Sequence, residues 1–204
     1  MSMAILRILA TIALAIAWVA PMALAQDAPV RVRGTIDRVE GDTYIVKLRG
    51  GGEAKVTLAE KAMVVALTKA SLTDIKPGSY VGVAGMPQAD GSQRALEVHI
   101  FPEAMRGTGD GHRGWDLQQS STMTNGTVEQ SAASSDGQVL TLKYKDGEKK
   151  IAVPADCPIV VYVPGDKSEL KAGASIFIAA AVKQPDGTLQ APRVNVGRGV
   201  APPM

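Results

Sequence analysis

The chain has 204 residues, with 22 Lys and Arg against 20 Asp and Glu, a formal net charge of +2, and a single cysteine, Cys157. That near-balance leaves no basic stripe for nucleic acid or an anionic membrane, and one cysteine excludes an internal disulfide framework. Aromatic residues are 4% of the chain, too few for the stacking platform that single-stranded nucleic acid requires.

Residues 1–25 read as a secretory leader. Arg7 is the charged n-region, residues 9–20 (LATIALAIAWVA) the apolar h-region, and Ala23-Leu24-Ala25 the cleavage motif before Gln26. The apolar run is too short to be a lasting membrane span, and no later stretch is long enough. The expected localisation is periplasmic or secreted, with cleavage near Ala25 and no membrane span in the mature chain.

Beyond the leader the chain repeats itself. Gly34-Thr35-Ile36 returns as Gly126-Thr127-Val128, Ile75-Lys76-Pro77-Gly78 as Leu170-Lys171-Ala172-Gly173, and Val98-His99-Ile100 as Val194-Asn195-Val196. The offset drifts from 92 to 96, with residues 131–137 (SAASSDG) as the expected loop insertion. Alternating segments at 43–48, 54–58, 139–144 and 150–153 predict strands. Gly50-Gly51-Gly52 and Asp146-Gly147 predict hairpin turns. Residues 71–78 and 167–173 predict a helical turn or wide loop leading into strands at 80–84 and 175–180. The expected fold is all-β: two tandem OB-like small β-barrels from an internal duplication, at 31–100 and 125–197, joined by a Gly-rich loop at 101–124, with a tail at 198–204.

Each copy resembles the OB-like β-barrel repeats of exported bacterial proteins of unknown function. The pattern that carries the resemblance is the G-T-[IV] strand, the hairpin, the Leu72-Thr73-Asp74-Ile75-Lys76-Pro77-Gly78 loop and the closing V-x-[IV] strand. It implies a fold and no activity.

The segment from His99 to Met123 is shared by neither copy and holds both histidines, His99 and His112. It also holds Met105, Met123 and Trp115. Thioether sulfur prefers Cu(I), and imidazole accepts copper or zinc, so His99, Met105, His112 and Met123 form a candidate metal set with Trp115 as cation-π cap. These residue types are similar to the one-His, two-Met, Trp-capped site of periplasmic OB-fold copper chaperones, which implies a metal carrier; in that family the ligands lie on barrel strands, whereas here all but His99 are expected in the linker. His99 aligns with Asn195, so the fold itself does not demand a histidine there. The spacing of the histidines matches no metal signature, and Phe101 and Trp115 suit packing between barrels. Arg106 and Arg113 offer a different chemistry, a clamp for an anionic ligand. Cys157 aligns with Ala62 and reads as a small core residue. No nucleophile–base–acid set emerges. The functional expectation is therefore a non-catalytic binding or accessory protein acting through the insert, with a cell-envelope protein as partner and no nucleic acid. The alternative is a copper or zinc carrier linked to metal transport.

Overall fold

The computed structural model describes residues 28–202; the expected leader and the last two residues lie outside them. The described residues form twelve strands: β1 (Val30–Glu40), β2 (Thr43–Leu48), β3 (Glu53–Lys69), β4 (Tyr80–Pro87), β5 (Gln93–Phe101), β6 (Gly111–Gly114), β7 (Thr122–Ser134), β8 (Gly137–Tyr144), β9 (Gly147–Pro154), β10 (Ile159–Pro164), β11 (Ser175–Lys183) and β12 (Leu189–Gly197). The only helical elements among the described residues are single 3₁₀ turns at Leu72–Asp74, Glu103–Met105 and Lys167–Glu169. No helix among them is long and apolar enough to cross a membrane.

The all-β class and both glycine hairpins follow the sequence pattern. Gly51 and Gly52 take positive φ between β2 and β3, where a side chain would be strained. The segments at 71 and 166 are capping-box turns: the Ser71 amide donates to Asp74 and the Asp166 amide to Glu169. Residues 131–137 differ from expectation. They extend the β7–β8 hairpin, which closes at Ser134↔Gly137, whereas β1–β2 closes at Glu40↔Thr43. The offset drifts because this hairpin is longer on both strands.

Strand pairing departs from the boundaries that the repeats suggest. β1, β2 and β3 close into a five-strand barrel with β12 and β11, through β1–β2, β2–β3, β3–β12, β12–β11 and β11–β1 pairs. β4, β5, β9, β8 and β7 close a second ring. The first three strands of each half thus pair with the last two of the other, and neither half closes on itself. The chain crosses between the rings at residues 70–79 and 165–174. The segment at 101–124 leaves β5 and enters β7 within one ring, so it does not cross between barrels, and part of it is strand.

Two cores fill the rings. One joins Val32, Ile36, Val46 and Val56 with Leu170, Ile176, Ile178, Val194 and Val196. The other joins Ile75, Val81, Val83 and Val98 with Val128, Leu140, Leu142, Ile151 and Val153. Matched positions hold matched residues: Ile75 and Leu170, Val83 and Ile178, Val98 and Val194. Between the rings, β3 and β10 pair antiparallel about Leu67↔Tyr162, which are themselves equivalent positions.

Candidate functional site

Alternation along β5 decides which way its polar residues face. Val98 belongs to the core, so Glu97, His99 and Phe101 point outward, toward the other ring. On β12, Val194 and Val196 point inward and Arg193 and Asn195 outward. Cross-strand partners share a face, so Glu97, Ala84, Met123 and Arg113 form one outward row, and His99, Gly82, Asn125 and Gly111 the next. Across from them stands the row Arg33, Phe177 and Asn195 of the other ring. The small residues Gly82 and Ala84 leave room between the walls. A Cβ on Gly82 would sit 2.8 Å from Asn125 Oδ1 and 3.0 Å from Phe101.

The result is a cavity of about 300 Å³ between the rings. It is lined by His99, Met105, Trp115 and Met123, four of the five residues singled out from the insert, and also by Tyr162, Asn125, Asn195 and three arginines, Arg31, Arg113 and Arg193. His99 is 2% exposed and donates from Nε2 to Glu97 Oε1 at 2.9 Å; a carboxylate only accepts, which fixes that tautomer. Its Nδ1 lies 3.5 Å from the Tyr162 hydroxyl, and the two rings meet edge to face. Burial, then the Glu97 charge, pushes the Tyr162 phenol far up, so it stays protonated.

His112 does not join this group. It pairs with Thr124 on β6–β7, in the row of Val83 and Val98, on the opposite face of the sheet. Thr124 gives its one hydroxyl hydrogen to Gln93 Oε1 at 2.7 Å, so His112 Nδ1 donates to Thr124 Oγ1, also at 2.7 Å. Burial first, then Lys149 and Arg113, lowers the His112 pKa. His112 and Met123 sit on strands β6 and β7, where sequence reasoning expected loop. Among the described residues no group of three or more His, Cys, Asp or Glu is arranged to hold a metal ion.

The cavity is rich in cations. Arg31 lies 4.1 Å above the Trp115 ring and 3.2 Å from Asp116, and Arg33 reaches the same carboxylate at 2.6 Å. Arg33, then Arg31, holds Asp116 below the usual carboxylate range. Arg113 donates to the Gly109 carbonyl at 2.7 Å and lies 5.6 Å from the Trp115 ring, with no carboxylate partner among the described residues. The half-buried Arg193 guanidinium has neither a hydrogen bond nor an ion pair among the described residues. Arg106, the other half of the expected clamp, is instead tied to Glu103 at 2.6 Å and to the Gly78 carbonyl.

Phe101 is buried, stacked on Tyr162 at 4.9 Å and tilted against Tyr80 at 5.5 Å, so it presents no exposed contact patch. Trp115 is half-buried beside Met123 and Phe177. Cys157 packs against the second core; burial, then Glu97 and Asp156, pushes its thiol up to about 12, which leaves no nucleophile at neutral pH. Arg31, Tyr162, Arg193 and the two asparagines were missed from sequence. The available signal was the mismatch between copies at outward positions: Glu97 against Arg193, His99 against Asn195, Gly82 against Phe177. No family model, no curated protein and no solved structure matches the chain.

Proposed function

We propose that this is an exported, non-catalytic binding protein, built by duplication of an OB-like barrel repeat, whose ligand site is the cavity between the two rings. One observation carries the reading. Four buried side-chain polar atoms lack a hydrogen-bond partner among the described residues, and three of them, Trp115 Nε1, Asn125 Oδ1 and Asn195 Oδ1, belong to residues lining this cavity. An unpaired buried polar group costs about 1–3 kcal/mol, so three at one place signal an absent partner. The insert contributes a wall to this site through Met105, Arg113 and Trp115.

A second reading has support from one feature. His99, Met105 and Met123 line the same cavity and supply the soft donors of a copper site. Three arginines on its walls oppose a cation.

The test uses the full chain with Trp18→Phe, in which Trp115 is the only tryptophan. A thermal-shift and fluorescence screen should include small anions, neutral polyols, cations, Cu(I) and Zn(II). Ala179 lines the cavity from an exposed position on β11, so Ala179→Trp should fill the space while preserving the fold. At least one compound class should bind the Trp18→Phe protein and lose affinity in the Ala179→Trp variant. If no class binds, or if the filled variant binds equally well, the cavity is not the site. Saturable Cu(I) binding removed by His99→Ala would establish the second reading.

A further inference from the structure

The copies of the repeat agree in their cores and differ where they face each other, and those differences specify a ligand. At the outward position where β5 carries Glu97, β12 carries Arg193; where β5 carries His99, β12 carries Asn195. On β1 and β7 the matched positions are Arg31 with Met123, and Arg33 with Asn125. A symmetric groove would hold the same chemistry twice. This one carries arginines on both walls, Arg113 on one and Arg193 on the other, and hydrogen-bonding amides on both.

The charges do not cancel. Arg31 shares Asp116 with Arg33, and Glu97, hydrogen-bonded to His99, is not among the residues that line the cavity. That leaves Arg113 and Arg193 on the cavity wall without carboxylates. Crowding shows in Arg113 itself, which burial and the nearby Arg31 hold below its ordinary pKa. Two guanidinium groups without counter-charge on one cavity offer planar donors to an oxyanion, and the unpartnered indole N–H of Trp115 is a third donor.

The amides read a different part of the ligand. Asn125 donates from Nδ2 to the Thr108 carbonyl at 2.8 Å, which fixes its Oδ1 as a free acceptor. Asn195 is 5% exposed and its Oδ1 is also free. Buried acceptors select hydroxyl or amine donors, since a ligand lacking them leaves the acceptors unpaired. Phe101, Phe177, Met105 and Met123 supply an apolar surround. The volume, about 300 Å³, equals roughly ten water molecules of liquid and lies at the small end of ligand pockets.

Resting on the cavity as the binding site, we propose that its ligand is a small hydroxylated organic anion, with its oxyanion held by Arg113, Arg193 and the Trp115 indole and its hydroxyl groups held by Asn125 and Asn195. A carboxylate and a phosphate present the same chemistry to these donors, and two probes separate them: gluconate and glycerol 3-phosphate. Glucose and glycerol are their neutral counterparts.

Binding is measured by calorimetry on the full chain and by Trp115 fluorescence in the Trp18→Phe background. At least one anion should bind, its neutral counterpart at least tenfold more weakly. Affinity should fall at least tenfold in Arg193→Gln and again in Arg113→Gln/Arg193→Gln, and should weaken from 50 to 500 mM NaCl. Neither Arg113 nor Arg193 holds an ion pair among the described residues, so these variants should stay folded, with a cooperative melting transition near the wild-type temperature. Asn195→Ala should narrow the preference for the hydroxylated anion over acetate. The proposal is overturned if neither anion binds at 10 mM, or if glucose or glycerol binds as tightly as its anionic partner. It is also overturned if a cation binds and the glutamine variants tighten it. In the last two cases, loss of binding in Ala179→Trp would leave the cavity reading standing while the anion falls. Anion binding unchanged in Ala179→Trp would overturn both.

Discussion

Cutting the chain at the tip of the insert distinguishes the exchanged pairing from two self-contained barrels. A protease site placed after Gly107, which has positive φ and open space around it, should yield two pieces that stay together. Six strand pairings join the halves: β1–β11, β3–β12, β3–β10, β4–β7, β5–β9 and β5–β10. Leu170, Ile176, Ile178, Val194 and Val196 complete one core from the second half, and Ile75, Val81, Val83 and Val98 complete the other from the first. At about 1.5–3 kcal/mol for each buried side chain, these nine contribute roughly 13–27 kcal/mol. Association and ordering oppose this with about 4–15 kcal/mol. The midpoints leave about 10 kcal/mol, a dissociation constant of roughly 10–100 nM. The nicked protein should therefore elute from size exclusion at the intact volume at micromolar concentration and separate only in denaturant. Two pieces that elute apart, each with native β circular dichroism, would refute the exchange.

Four further outcomes are expected. Leu142→Ala, at a fully buried core position, should lower unfolding free energy by about 2–5 kcal/mol in urea titration. Gly82→Ala should cost about 1–3 kcal/mol by overpacking and weaken any ligand of the cavity, since the new Cβ meets Asn125 and Phe101. The folded His112 pKa lies below its ordinary value. Its neutral form is thus favoured on folding, and its contribution to stability is complete above about 6.5 and lost as pH falls through the folded pKa. An NMR titration should show the imidazole titrating below 6.5, and Thr124→Val should move it. Alkylation of Cys157 at pH 8 should be at least roughly a hundredfold slower in the native protein than in urea, because its thiolate is scarce.

Period-two alternation and glycine turns made the strands legible, and the recurrence of Gly34-Thr35-Ile36 and Val98-His99-Ile100 suggested two related halves. Alternation says which residues face a core and is silent about whose core it is. Val98 fits a barrel closed by its own half as well as one closed by β7–β9, so the exchange was invisible. The insert was recognisable by its unshared His99, Met105, Trp115 and Met123, which do line one cavity. His112 was grouped with them because both histidines fall in one short segment, yet the pleat turns it to the other face. Arg193 and Asn195 lie nearly a hundred residues away on β12, where only a fold brings them near.

The exchange also orders events in time. Strands β4 to β9 are contiguous in the chain, so the ring that five of them build can close once residue 154 is available. The ring of β1–β3 cannot. Its partners begin at Ser175, about 140 residues after β1, and loop closure over that distance makes it the slow step. Until β11 and β12 arrive, the 17-residue β3 offers an open edge, a template for pairing with another chain. Lys55, Glu60, Lys61 and Lys69 along that strand are the charges that keep the waiting edge from finding the wrong partner.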